Sequence, residues 1–389
     1  MNKKFLIISL LIIAACGGVF SQSPDNLYFK QPSILDTANS HKIMFRVEDI
    51  NFFRNLEYFN PIAEGHTYIG FILRPSFSYQ PTANTCLQVG IHLLKYSGNN
   101  DFAQTLPFFR FQYRILPNFD LILGSLYSTL NHGMIEPIYG FDRYIEDNVE
   151  NGMQFLYHNP HFKADLWLNW QNFIKFDDTQ KEQFSVGYSS EVILTDQSKP
   201  LKLSIPVQFL FAHRGGQNTL DTARMFTRFN GAVGFSSEYT FDRRFVKRIG
   251  AYAYYLIYKD IITPHDIAYS YGNATYANIY LNTSFINFTV GEWTGFQFFN
   301  PRGERLFSNI STIDDPDRLG TPTPGQYIIP QRNLFLSKVF FHHNICKGID
   351  LCAAFESFYD YKNSIFDYNY DLYVICNMDF FIHKVFHTD

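Results

Sequence analysis

Apolar and polar residues alternate with a period of two along most of this chain. Between 67 and 79 the odd positions include Ile69, Phe71 and Leu73, whereas the even positions include Arg74 and Ser76. Successive side chains of a β-strand point to opposite faces, so this alternation indicates strands with one apolar and one polar face. We count about sixteen such segments, with ends uncertain by ~3 residues. They lie near 41–50, 66–80, 83–96, 105–115, 118–130, 150–159, 161–171, 182–193, 200–213, 227–240, 246–260, 273–284, 285–296, 331–344, 349–361 and 370–386.

The connections between these segments alternate between short and long. Tight turns at 81–83 and 116–118 are followed by long links such as 97–104 and 131–149. The topology of a soluble β-sandwich does not require this alternation. An outer-membrane barrel does show it, because its periplasmic turns are short and its surface loops are longer. Most segments also suit the ~9–11 residues of a tilted membrane strand. We therefore predict an all-β, transmembrane, antiparallel up-and-down β-barrel of about 16 strands (14–16).

The composition agrees with this class. The chain has 389 residues with 42 Phe and 26 Tyr, and only 17% of its residues are charged, against about a quarter in soluble domains. Nearly half of the residues are hydrophobic, which excludes a disordered chain. After the first 20 residues no apolar run approaches the ~20 residues of a membrane-spanning helix.

The N-terminus has the pattern of an export signal, with a positive start and an apolar run over residues 5–15. Two processing sites compete: a lipobox-like run ending at Cys16, which would be lipidated, and a small-residue site ending at Ser21. We favour cleavage after Ser21, because a barrel supplies its own membrane anchor. The predicted divisions are a signal peptide over 1–21, a short periplasmic segment over 22–40 and one outer-membrane barrel domain over 41–389.

Charge and cysteine content exclude several partners. Removal of residues 1–21 takes away Lys3 and Lys4, so the mature charge is 30 − 36 = −6. No basic surface therefore points to a nucleic-acid partner. The remaining cysteines form no CxxC pair, and we predict neither a cofactor nor a metal site built on them.

The Asn/Tyr/Phe-rich strands and the Ser21-Gln22 processing site carry a family resemblance. The chain resembles the porin-like outer-membrane barrels of Gram-negative bacteria, most closely those of the Bacteroidota. The resemblance implies a place in the cell outer membrane, in contact with its lipid and lipopolysaccharide. It lies in pattern over the whole mature chain, without a diagnostic motif, so no site residues are transferred. Such barrels often finish on an aromatic residue, whereas Phe386 here is followed by three more residues.

A barrel of this size normally encloses an aqueous lumen. The polar strand faces would then place arginines from early strands opposite acids from late strands. Such an arrangement either creates a transverse field that sets charge preference or forms a salt-bridge network that braces the wall. The predicted pore-lining residues are Arg74, Arg110, Arg114, Glu356, Asp360 and Asp379.

The longest link, about 297–330, is long enough to be functional. It either folds inward as a constriction, placing Arg302, Arg305, Asp314 and Asp315 in the channel, or covers the surface as a solvated lid. The acidic cluster could hold calcium through carboxylate oxygens, but it lacks the spacing of an EF-hand loop.

A second acidic link contains a histidine with the chemistry of a general base. His132, oriented by Glu136 or Asp142, could act at the outer rim of a barrel enzyme. However, the chain has no GxSxG, SxxK or HExxH motif. We therefore predict that the protein is not an enzyme.

Strand number, polar inner faces and absent catalytic motifs favour a porin-like channel for passive passage of small hydrophilic solutes. The alternative is a surface-exposed binding or assembly barrel whose loops dock a lipoprotein, a glycan or a secretion partner. A homo-oligomer is expected by analogy with other porins.

Overall fold

The computed structural model describes residues 28–385, apart from 197, 217–218, 223, 263–266 and 314–326. Sixteen antiparallel strands form a closed barrel in which each strand pairs with its neighbours in sequence and β1 closes against β16. The predicted architecture is confirmed. The predicted signal peptide and the residues after Phe386 lie outside the described residues. The strands are β1 (Lys42–Glu57), β2 (Thr67–Thr82), β3 (Thr85–Tyr96), β4 (Gln104–Leu116), β5 (Phe119–Ser125), β6 (Asn151–His158), β7 (Phe162–Asn172), β8 (Glu182–Ile193), β9 (Leu201–Gly215), β10 (Phe226–Thr240), β11 (Val246–Asp260), β12 (Tyr271–Thr283), β13 (Ile286–Phe296), β14 (Gln331–Cys346), β15 (Ile349–Asp360) and β16 (Ile365–Lys384).

The period of two in the sequence becomes an outer and an inner face of the wall. On β13, Phe288, Val290 and Phe296 are large exposed apolar residues, whereas Trp293 is completely buried inside the barrel. Strands of a membrane barrel turn their apolar positions toward lipid in this way. The short connections, such as 83–84 and 117–118, lie at one end, which is the periplasmic end, and the long ones lie at the extracellular end.

The lumen is filled from the extracellular side by the β5–β6 loop, residues 126–150. Strands β5 and β6 have only 7 and 8 residues, so this loop begins inside the wall. It contains a 3₁₀ turn (Thr129–His132) and one helical turn, α1 (Arg143–Glu146). Ile138 and Ile145 are completely buried. Among the described residues no helix is long and apolar enough to cross a membrane.

A second inward loop, residues 297–313 of the β13–β14 connection, locks onto the first. The amide of Gly140 donates to the carbonyl of Arg302 at 2.9 Å, and the amide of Glu304 donates to the carbonyl of Glu136 at 2.9 Å. A Cβ atom at Gly140 would lie 2.7 Å from the Glu304 nitrogen, so only glycine allows this approach. Phe298 and Phe307 are buried in the same core as the β5–β6 loop.

The N-terminal segment fills part of the lumen from the periplasmic side. Phe29 packs edge-on against Phe141, Tyr144 and Tyr373, with ring centroids 5.1–5.3 Å apart. The amide of Ile34 donates to the Tyr127 hydroxyl at 2.8 Å. The sequence placed residues 22–40 in the periplasm, whereas the described part of this segment reaches into the barrel and contacts the inward loop.

Candidate functional site

The three predicted lumen arginines lie on the inner face, and each is already bound to protein. Arg74 donates to Glu48 at 2.6 Å, and Arg114 donates to Asp120 at 2.8 Å. Arg110 donates to the carbonyl oxygens of residues 125 and 126, at the start of the inward loop. These contacts are those of a network that braces the wall and holds the loop.

The predicted acids also pair locally rather than across the lumen. Glu356 accepts from Lys338 at 2.7 Å, Asp360 accepts from Arg332 at 3.0 Å, and Asp379 accepts from Arg46 at 2.5 Å. The arginines and the acids singled out from the sequence therefore do not face each other as ion pairs. Their role as pore-lining residues stays a prediction.

The described part of the long link, residues 297–313, folds inward. Arg302 lies 3.4 Å from Asp147, and Arg305 lies 3.7 Å from Glu146, inside the barrel mouth. Asp314 and Asp315 lie outside the described residues. The hypothesis that they hold calcium therefore stays a prediction. Within the described ranges no three His, Cys, Asp or Glu side chains come together as a possible metal site.

His132 lies between two carboxylates that the sequence did not suggest. Its Nδ1 is 2.9 Å from Asp165 Oδ2, and its Nε2 is 3.0 Å from Glu150 Oε2. The ring stacks on Trp167 with centroids 3.6 Å apart, and the Tyr139 hydroxyl donates to the second oxygen of Glu150 at 2.5 Å. The His132 side chain is completely buried.

This environment holds His132 as a cation. Burial alone lowers its pKa, but the charges and hydrogen bonds of Glu150 and Asp165 outweigh it and raise the pKa to about 9. A charged imidazolium has no lone pair with which to act as a base near neutral pH. Asp165 is also only the fourth residue of β7 from the periplasmic turn. The hypothesis that His132 is a general base oriented by Glu136 or Asp142 at the outer rim is therefore wrong. His132 instead joins the inward loop to the barrel wall.

A second buried cluster lies under the extracellular mouth, where the two inward loops meet β1 and β16. Arg54 donates to Asp142 at 3.0 Å and to Asp371 at 2.5 Å. Arg305 approaches Asp142 to 3.9 Å from the other side. Burial and the neighbouring Asp142 raise the pKa of Glu304 to about 8, although Arg54 and Arg305 oppose the shift.

This mouth cluster has the groups for proton transfer but little space. The cavity beside it measures about 20 Å³, enough for one water molecule, and is lined by loop residues such as Gly140, Asn300 and Thr312. Arg54 and Glu304 are 3% and 5% exposed. An acyl chain in the surrounding bilayer cannot reach the cluster in this arrangement.

A third polar group faces outward at the extracellular ends of β1 and β2. The Thr67 hydroxyl donates to Asn55 Oδ1, and Asn55 Nδ2 donates to Glu57 Oε1 at 2.6 Å. We call Asn55, Glu57 and Thr67 the outer-rim site. Further down the same face Asn51 donates to Asp49 at 2.7 Å. These side chains alternate with the inward Phe52 and Leu56. Asn55 is only 6% exposed, Glu57 is half-buried and Thr67 is exposed, so the site reaches the outer surface through Glu57 and Thr67.

Solved structures share the fold of this chain. OprD of Pseudomonas aeruginosa is 8% identical with a TM-score of 0.51, over 92% of this chain and 100% of that protein. A loop-deletion mutant of OmpT from Vibrio cholerae is 9% identical with a TM-score of 0.50, over 86% and 99%. At this identity the similarity shows a porin-like outer-membrane barrel and nothing finer. Among proteins with curated descriptions none matches the sequence.

The sequence profile of the family described as "Lipid A 3'-O-deacylase-type" matches residues 35–385. The chain belongs to this family. The match spans β1 to β16, so it applies to the whole barrel rather than to one segment. It overturns the prediction that the protein is not an enzyme, since the family description is that of an enzymatic activity. That prediction was based on the absence of serine-hydrolase and zinc-protease motifs. Their absence excludes only those catalytic classes and not every kind of enzyme.

Proposed function

We propose that the protein hydrolyses an acyl ester bond of a phosphorylated glycolipid in the outer leaflet of the outer membrane. The observation that carries this proposal is the family match over residues 35–385. The filled lumen supports it, because two inward loops occupy the space through which a porin passes its solutes. The ester bonds of such a lipid lie at the level of the extracellular barrel rim.

The outer-rim site is the polar group that such a substrate can reach. Glu57 takes a proton from a water molecule that attacks the acyl carbonyl carbon. The second N–H of the Asn55 amide donates to the carbonyl oxygen as it becomes negative. The Thr67 hydroxyl, which donates to Asn55 Oδ1, holds that amide in position. The ester C–O bond then breaks, and Glu57 returns the proton to the leaving oxygen. The products are a free fatty acid and a hydroxyl group on the glycolipid.

Mass spectrometry of the glycolipid tests the proposal. We expect expression of the protein in the outer membrane of a host without such an activity to produce a species lighter by one acyl chain. Purified protein mixed with the same glycolipid in detergent should release the matching fatty acid. An unchanged lipid profile, with the barrel shown to be folded by its heat-modifiable migration, would overturn it.

Passive passage of small hydrophilic solutes is the second function, favoured by the 16-strand porin-like wall. It requires residues 126–150 and 297–313 to leave the lumen, because together they occupy it. We expect the intact protein in a planar bilayer to show no discrete conductance steps. Regular steps from heat-modifiable, folded protein would support the channel and contradict a closed lumen.

The outer-membrane location implies contact with lipid and lipopolysaccharide, and finer partners are proposals. A homo-oligomer or a bound lipoprotein would be recovered by crosslinking in native membranes. Sequencing of the mature N-terminus tests cleavage after Ser21 against lipidation at Cys16.

A further inference from the structure

A charged residue on β13 faces the lipid. It lies on one side of β16, whereas the outer-rim site on β1 and β2 lies on the other side. Glu292 is exposed on the outer face of β13, between the exposed apolar residues Val290 and Phe296. Its partners across the ladder on β14 and β15 are the exposed Phe335 and Tyr359. Ionisable residues on the lipid side of a membrane protein are costly and usually mark a functional site.

Three polar side chains from neighbouring segments gather around this carboxylate. The Tyr361 hydroxyl donates to Glu292 Oε1 at 2.5 Å, and the Thr294 hydroxyl donates to the same oxygen at 3.3 Å. Asn333 on β14 lies beside Tyr361. We call Glu292, Thr294, Asn333 and Tyr361 the wall site. It is built from β13, β14 and the β15–β16 hairpin, so the tertiary structure assembles it.

Two acceptor atoms of the wall site receive no hydrogen bond from the described side chains. Both hydrogen bonds to Glu292 end on Oε1, and none of the described side chains donates to its Oε2. The Oδ1 atom of Asn333 is buried and has no hydrogen-bond partner among the described residues. Glu292 is exposed, so a lipid molecule can reach its Oε2. An unpaired carboxylate oxygen away from water favours a ligand that brings hydrogen-bond donors.

We propose that the wall site binds a glycolipid through hydroxyl or amide N–H groups at the base of its acyl chains. The charge pattern above it fits the same ligand. Lys362 follows Tyr361 in the β15–β16 hairpin, and among the described residues its exposed ammonium group contacts only the carbonyl of Gln331, at 3.5 Å. It can hold a phosphate of the head group while the acceptors below bind the acyl donors.

This site is separate from the proposed reaction. β13 and β1 are separated by β14, β15 and β16, so they lie about 19 Å apart along the wall at the usual strand spacing. Binding at the wall site therefore requires neither Glu57 nor hydrolysis. It would hold a lipid molecule against the barrel whether or not that molecule is a substrate.

Native mass spectrometry of the purified full-length barrel tests this proposal. The probe is a bisphosphorylated glycolipid with 3-hydroxyacyl amide chains, and phosphatidylglycerol serves as a phosphate-bearing lipid without those donors. We expect Glu292→Gln combined with Tyr361→Phe to reduce glycolipid retention about tenfold or more, because the lipid loses its hydrogen bond to a charged carboxylate. Phosphatidylglycerol retention should be unchanged.

The matched control is Tyr359→Phe, which removes a hydroxyl from the same outer face of β15 and should leave retention as in the wild type. Equal retention by the double variant and this control would overturn the proposal, as would equal binding of both lipids. Glu57→Gln should still bind the glycolipid. Loss of hydrolysis with retained binding, or the reverse, therefore separates this proposal from the proposed function.

Discussion

Glu57→Gln is expected to reduce the release of fatty acid by about 10²–10⁴-fold, the usual contribution of a general base. The amide keeps the size of the side chain and can still accept a hydrogen bond from Asn55. It cannot take a proton from water. The measurement is the initial rate of fatty-acid release from the phosphorylated glycolipid in detergent, with the heat-modifiable band as the check on folding.

Glu64→Gln is the control for this variant, because Glu64 is an exposed glutamate in the β1–β2 loop that follows Glu57. It makes the same chemical change without touching the outer-rim site. Its rate should remain within about twofold of the wild type. Equal rates for Glu57→Gln and Glu64→Gln would show that Glu57 is not the proton acceptor.

His132→Gln should lower the free energy of unfolding by about 3–5 kcal/mol, as removal of one partner of a buried ion pair usually does. The substitution leaves Glu150 and Asp165 facing an uncharged side chain inside the barrel. The stacking of the ring on Trp167 is lost as well. Urea unfolding of the barrel in lipid vesicles, followed by tryptophan fluorescence, measures the difference.

The same interaction predicts a pH dependence. The pKa of His132 rises from an ordinary 6.5 to about 9 in the folded protein. Its contribution to stability is therefore fully present below pH 6.5 and lost as the pH rises through 9, with a slope of up to about 1.4 kcal/mol per pH unit. His132→Gln should lack this slope.

His158→Gln serves as the control, since His158 is exposed near the periplasmic end of β6. It should change neither the midpoint of unfolding nor its pH dependence. If His132→Gln behaved like His158→Gln, the inward loop would be held by its apolar contacts alone. The imidazolium would then contribute nothing measurable.

Strand β1 shows where the sequence pattern no longer predicts the structure. The sequence predicted that β1 ends near residue 50, whereas it continues to Glu57. In its lower half Arg46 and Glu48 point inward, but in its upper half Phe52 and Leu56 do, because they pack against the inward loop. Arg54 lies between these two and also points inward, so apolar and charged residues share the inner face there. A rule that expects one polar lumen face cannot predict that mixture.

The residue types of the candidate sites were visible in the sequence, but their partners were not. His132 was singled out as a candidate general base and paired with Glu136 or Asp142, which are close to it in sequence. Its actual partner Asp165 lies 33 residues away, on a strand that pairs with β6 and β8. Likewise, Glu292 and Tyr361 are 69 residues apart and meet only because β15 and β16 form a hairpin beside β14.

The sequence by itself determined the barrel, its approximate strand number, the inner and outer faces over most of the wall and the placement of most short and long connections. These features follow from local rules, namely side-chain alternation and loop length, that each segment obeys alone. Only the tertiary structure decided that two loops fill the lumen, that His132 is a buried cation and which polar groups face lipid. Those outcomes depend on contacts between distant segments, whose packing and charge pairing no local pattern encodes.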